Sequence, residues 1–168
     1  QGELVKEFHI VSECYFLLMR PEFHSNLRPE CSLFHGGRHV VRLIERLGFA
    51  HTGSPANVIE VCIDKQRAKE CLLAAGIPTP RYQVYTQPGS AFLFNFPAIV
   101  KPMYDDGSVG ITLHSVVKSE QELQAQVAYV TITYRQPALV EEYIGGRELS
   151  VSMWGNDLVE TLPIAEQD

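Results

Sequence analysis

Two short stretches carry side chains whose types and spacing could do chemistry. The first, Phe96 to Gly110 (FPAIVKPMYDDGSVG), sets Lys101 between the apolar run Ala98-Ile99-Val100 and a glycine-containing loop, Asp105 to Gly110. A cation at a strand end beside such a loop suits a phosphate group. The ammonium supplies a point charge, and Gly107 and Gly110 let backbone N–H groups approach anionic oxygens. The loop is not of the Walker A type, because GxxxxGK[ST] is absent. The same residues also fit a plain hairpin, with Ile111 to Val117 as its second strand.

The second stretch is Leu139 to Glu148 (LVEEYIGGRE). Strand alternation sets Glu141 and Tyr143 opposite to Val140, Glu142 and Ile144. A Gly145-Gly146 turn is expected to bring Glu148 back beside the strand end. A strand edge there can read a planar heterocycle, and a carboxylate beside it can accept hydrogen bonds from sugar hydroxyls. A charged hairpin end in water is the alternative. A third feature is Lys65, which directly follows the helix-capping Asp64. A cation in a first helical turn opposes the macrodipole by a few tenths of a kcal/mol, so either a nearby anion or an exposed lysine accounts for it.

The elements that must position these groups follow from punctuation and periodicity. Val40, Leu43, Ile44 and Leu47 predict a helix over 39–47, stopped by Gly48. Ser54-Pro55 is a cap and first helical residue for a short helix to about Cys62. Asp64 caps another, Lys65 to Ala75, ended by Gly76 and Pro78. Arg81 to Tyr85 reads as a strand. Ser119-Glu120-Gln121-Glu122 reads as a capping box opening a helix to about Tyr129. Ala138-Leu139-Val140, Leu149 to Trp154 and Leu158 to Leu162 complete the strands. This order describes an α+β unit with a largely antiparallel sheet.

Composition narrows the partners. The 168 residues are 45% apolar and 20% charged, which suits a folded domain, and the net charge of −6 argues against general nucleic-acid binding. The apolar run Phe8 to Met19 holds His9 and Glu13 and is too short to span a bilayer, so no membrane partner is expected. It also lacks the marks of a signal peptide, and the expected location is cytoplasmic. Cys14, Cys31, Cys62 and Cys71 lack metal-like spacing and read as reduced, mostly buried thiols. His9, His24, His35 and His39 show no HExxH spacing. The first residue is Gln rather than Met, so the chain reads as a piece of a longer product.

With these pieces in view, the sequence resembles the ATP-grasp superfamily and, within it, the D-alanine–D-alanine ligases. HTGSP at 51–55, DK at 64–65, GIPTP at 76–80, FPAIVKP at 96–102, DGSVGI at 106–111 and LVEEYIGGREL at 139–149 occur in the family's order. Each motif is weak alone; six in order over about residues 47–155 are specific. The resemblance implies a partial ATP-grasp fold at 61–168, with a small lid subdomain of antiparallel sheet and helices at about 80–145 and the start of the central domain after it. Residues 1–60 would be the remnant of a preceding α/β domain.

It further implies that Lys65 and Lys101 contact ATP phosphates and that residues 105–110, with Gly107, Ser108 and Gly110, close over them as a mobile loop. Glu141, Glu142, Tyr143 and Ile144 would line the adenine pocket, and Glu148 would hold the ribose. The implied activity is ATP-dependent carboxylate–amine ligation through an acyl phosphate. D-alanine is the expected substrate, in bacterial cell-wall peptidoglycan synthesis, and a homodimer is one assembly option. A ligase for another amino acid or small carboxylate, or a non-catalytic ATP-binding module, are the alternatives. Three departures stand out. The family's two adjacent loop serines are reduced to Gly107-Ser108, and its acidic GEDG segment after His35-Gly36 is replaced by Gly37-Arg38-His39. The family's magnesium-binding acids, Glu-x-Asn pair and substrate-orienting Arg are expected beyond Asp168, so Mg2+ is an implied cofactor with no ligand assigned here, and no catalytic residue is assigned.

Overall fold

The computed structural model describes residues 33–49, 51, 53–155 and 158–167. The Phe8–Met19 run, the loop-like stretch after it, Cys14 and Cys31 lie outside these residues.

Three helices come first: α1 (Leu33–Arg46), α2 (Ala56–Ile63) and α3 (Lys65–Ala74). α1 begins six residues before the expected start, with Gly36 and Gly37 inside it. Its C-terminal half is tied to α2 by an Arg42–Glu60 ion pair and by the Glu45 carboxylate, which accepts the Ala56 N–H at 2.9 Å. Glu45 thus satisfies one of the orphan donors that opens α2. This corrects the expected Ser54 cap: Pro55 stands at the flanking position with no side-chain bond. Asp64 does cap α3, accepting the Arg67 N–H at 3.1 Å. Gly76, at φ 72°, ends that helix in a Schellman turn, with Ile77 N–H on Leu72 O and Gly76 N–H on Leu73 O.

The main sheet contains β1 (Tyr82–Tyr85), β2 (Ala98–Pro102), β3 (Val116–Val117) and β4 (Ala138–Glu142), with α4 (Glu120–Thr133) between the last two. The order is β1-β4-β2-β3, and every pairing is antiparallel. Ser119 accepts the Glu122 N–H at 3.3 Å, while the Glu122 carboxylate accepts from Lys118, one residue before the expected box position. α4 runs to Thr133, past the expected end near Tyr129. The second strand of the expected hairpin shrinks to Val116-Val117. Ahead of it, Thr112 and Ser115 exchange side-chain hydrogen bonds that close a 3₁₀ turn over Leu113–Ser115, and this local bonding displaces the ladder.

Two further ribbons follow. The expected strand at 149–154 divides into β5 (Glu148–Ser150) and β6 (Met153–Trp154), which pair with β8 (Ala165–Gln167) and β7 (Glu160–Thr161) respectively. Between them, Ser152 O accepts the Leu162 N–H at 2.8 Å.

The sheet's two faces differ in kind. On one, Tyr85, Ala98, Val100, Val117, Ala138 and Val140 pack against Leu123, Val127 and Val130 of α4, all buried. On the other, the register aligns Tyr82 and Ile99 with Glu141, and Lys101 and Val84 with Leu139. The α4 face is the folding core. Leu123→Ala is expected to destabilise the protein by about 2–5 kcal/mol, because the site is fully enclosed and a cavity would remain. Urea unfolding of the two forms checks this; a loss under about 0.5 kcal/mol would contradict the packing.

Candidate functional site

The polar face of the sheet is organised around Glu141, only 6% exposed. Its Oε2 accepts from Lys101 Nζ at 2.8 Å and its Oε1 lies 2.7 Å from Lys69 Nζ. Lys101 comes from β2, beside β4 in the sheet; Lys69 comes from α3. Lys69 also donates to Thr79 Oγ1 at 2.7 Å and lies 5.3 Å from the centre of the Tyr82 ring. Burial alone would push the Glu141 carboxyl up, but Lys101 and Lys69 outweigh it and hold the pKa below its ordinary value.

Lys65 stands one helical turn before Lys69. It is half-buried, and its Nζ donates to the carbonyls of Met103, at 3.4 Å, and Asp105. Burial lowers its pKa; the Asp106 charge opposes that, and the Lys101 charge adds to it. Lys65 is therefore no solvated surface lysine, and it senses the same cluster.

The loop that Lys65 touches is held from below. Met103 N–H donates to Pro137 O at 3.0 Å, Tyr104 N–H donates to the Gln136 side chain at 2.6 Å, and Gln136 donates in turn to the buried Asp105 carboxylate. Gly107 and Ser108 are both left-handed, at φ 60° and 62°. For Ser108 that conformation costs about 1–2 kcal/mol. Gly110 sits so close to Pro102 that a Cβ would meet its Cγ at 2.6 Å, so the loop can return to the sheet only over a glycine.

The adenine and ribose candidates distribute differently. Glu142 points away from Glu141, and Arg81 grips it through two side-chain bonds, with the guanidinium 4.8 Å from the Phe94 ring centre. Glu142 N–H donates to Arg81 O and Tyr143 N–H to Pro97 O, each at 3.0 Å, so the exit of β4 is fixed on both sides. Tyr143 is exposed and Ile144 half-buried. The expected hairpin return of Glu148 does not form. Glu148 opens β5 and pairs with Gln167 of β8, because β4 is already flanked by β1 and β2. The structure thus brings together Lys65, Lys101, Glu141 and the carbonyl of Asp105. It leaves Glu142 on the opposite face and Glu148 exposed on a separate ribbon.

Lys69 and Thr79 are the members that sequence reasoning misses. The signal was present in the four-residue step from Lys65 to Lys69, which aligns both ammonium groups along one helix face. A separate cleft between α1, α2 and α3, with His39, Arg42 and Arg67 opposite Glu60, contains none of these lysines. Of the two described thiols, Cys62 is half-buried and Cys71 exposed, which corrects the expectation of burial for the latter. No described helix is long and apolar enough to cross a membrane.

Solved ligases share this architecture. The chain aligns with the D-alanine–D-alanine ligase of Coxiella burnetii at a TM-score of 0.64 and 26% identity, covering 76% of this chain and 40% of that one. With the ATP-complexed D-alanine–D-alanine ligase of Bacillus anthracis the values are 0.62 and 25%, covering 76% and 42%. The class is therefore a partial ATP-grasp α+β fold. More particularly, residues 72–167 match the family described as D-ala D-ala ligase C-terminus, and the chain belongs to that family. It is 32% identical over 130 residues to the D-alanine–D-alanine ligase of Aquifex aeolicus, covering 76% of this chain and 42% of that protein. It is 37% identical over 129 residues to protein y4sG of Sinorhizobium fredii, covering 76% and 38%. The chain spans about two fifths of the length of these relatives.

The central carboxylate gives a pH test. Because its folded pKa lies below the ordinary value of 4.5, ionised Glu141 stabilises the fold above that pH, and the contribution is lost as pH falls through the lowered value. Glu141→Gln should remove this acid dependence and, by leaving two enclosed ammonium groups uncompensated, destabilise the protein by about 3–5 kcal/mol at neutral pH. Urea midpoints followed from pH 7 down to about 3 decide it; superimposable curves for the two proteins would refute the role.

Proposed function

We propose that the chain carries the phosphate- and adenine-binding part of an ATP-dependent carboxylate–amine ligase. The observation that carries this reading is the convergence of Lys65, Lys69 and Lys101 on one sheet face beside a glycine-bearing loop, within the family-matched region or directly before it. Two ammonium groups brought to about 4 Å from a phosphate are each worth about 4 kcal/mol at an effective dielectric of 20, and less where water enters.

On this reading Lys65 and Lys101 hold the polyphosphate, and residues 105–110 with Gly107, Ser108 and Gly110 cover it. Glu141 to Ile144 line the adenine, with Glu142 and Tyr143 contributing through the fixed backbone at the end of β4. Glu148 takes the ribose hydroxyls once its ribbon comes alongside. The reaction of the parent enzyme would join a carboxylate oxygen to the γ-phosphorus with loss of ADP. An amine nitrogen would then attack the acyl carbon and expel phosphate. Covering the loop over this intermediate keeps water from hydrolysing it. Residues 61–168 form the ATP-grasp part, with the lid at about 80–145. Mg2+ would neutralise the phosphates, but the described residues hold no cluster of three or more His, Cys, Asp or Glu fit to bind it, and no step is assigned to it.

D-alanine is the favoured substrate, which places the parent enzyme in peptidoglycan synthesis in the cytoplasm. The single loop serine at 108 favours, as a second reading, ligation of another small amino acid.

Lys101→Ala is expected to weaken ATP binding at least about tenfold, or 1.4 kcal/mol, by calorimetry, and an unchanged affinity would remove Lys101 from the phosphate site. Glu148→Ala should weaken ATP more than inorganic triphosphate, since only ATP carries a ribose. Equal losses for the two ligands would take Glu148 off the sugar.

A further inference from the structure

Lys69 is a buried ammonium group to which the ligase reading assigns no ligand contact. It is 5% exposed, and three groups hold it: one oxygen of Glu141, the Thr79 hydroxyl and the Tyr82 ring. The other Glu141 oxygen is taken by Lys101. The two lysines therefore do not compete for one atom; each has its own. Glu141 is over-neutralised, with two positive charges around one negative charge in an enclosed site.

That surplus has a consequence for Lys101. In this mechanism its ammonium exchanges its bond to Glu141 for one to the phosphate when ligand binds. If Lys101 were the sole counter-ion, its departure would bare a buried carboxylate, which is strongly unfavourable. The carboxylate would then hold Lys101 back and oppose binding. With Lys69 fixed on the second oxygen, Glu141 stays paired when Lys101 leaves, and the pair that remains is neutral. Lys69 is itself anchored to Thr79, on the segment after α3, and to β1 through Tyr82, so it does not follow Lys101.

We propose that Lys69 is a positioning residue: by remaining on Glu141, it releases Lys101 from that carboxylate to bind a polyphosphate. The assignment rests on the nucleotide-binding reading above and adds a residue and a mechanism to it. It also gives Glu141 a defined part, as a resting partner that orients Lys101 between binding events.

The test is calorimetric titration of the 168-residue chain with inorganic triphosphate, which isolates the phosphate contacts from adenine and ribose. Lys69→Met leaves the Glu141–Lys101 pair intact, so the fold keeps a neutral couple, and thermal unfolding verifies that each variant is native. Lys69→Met should weaken triphosphate at least about tenfold. Lys69→Arg, which still neutralises Glu141, should stay within about threefold of the parent chain. The double change Lys69→Met with Glu141→Gln should recover most of the lost affinity, because no carboxylate remains to hold Lys101. A purely structural Lys69 predicts the opposite, losses that add. Binding by the parent chain that Lys69→Met leaves within about twofold, or a double variant no tighter than Lys69→Met alone, overturns the assignment and leaves the nucleotide reading standing. Absence of any triphosphate binding by the parent chain overturns both.

Discussion

A single buried carboxylate ties one face of the main sheet to the helix beside it. Glu141 could not ionise at 6% exposure without compensation, and its compensation comes from two elements that are distant in sequence. Lys101 arrives on the neighbouring strand and Lys69 on the preceding helix. The ion triad therefore does for α3 what apolar packing does for α4: it fixes a helix against one face of the sheet. The means differ because the consequences differ. An apolar contact stabilises without regard to charge, whereas a buried ion pair holds only while each charge keeps a partner.

The loop beside the triad is built on the same compromise between rigidity and adaptability. Its base is pinned by Gln136, Pro137 and the Lys65 ammonium, while its tip holds two successive left-handed residues. A serine in that conformation persists only where its surroundings over-determine it. The strain sits at Ser108, directly after the left-handed Gly107.

Much of the local architecture was legible in the residues. Asp64 and Ser119 announce their helices, Gly76 ends one, and the apolar runs at 98–100 and 138–140 become the two central strands. Lys101 at a strand end and the six ordered motifs led to the family. What escaped depends on contacts between distant segments. The cap of α2 comes from Glu45, eleven residues away, and not from the favourable Ser54 beside it. The strand partner of Glu148 lies on β8, so a glycine pair that reads as a hairpin turn serves as a transition between two sheets. Nothing in the local pattern of Val140-Glu141-Glu142 distinguishes a buried carboxylate from a solvated one, because the distinction is made by a lysine seventy-two residues earlier in the chain.

The antiparallel register of the main sheet divides its positions by arithmetic. On β2 and β4, even-numbered residues such as Ala98, Val100, Ala138 and Val140 enter the α4 core, and odd-numbered ones such as Lys101 and Glu141 face the ion triad. On β1 the parity is reversed, with Tyr85 in the core and Tyr82 beneath Lys69. The sheet is thus a two-sided ledger of selection pressures, in which neighbouring codons answer to different demands. Drift at one parity would surface as lost apolar packing against α4, and drift at the other as lost ion pairing that also loosens α3 from the sheet. A single inserted or deleted residue within β4 would exchange the two roles along the strand beyond it, setting charges against α4 and aliphatic side chains in the polar site.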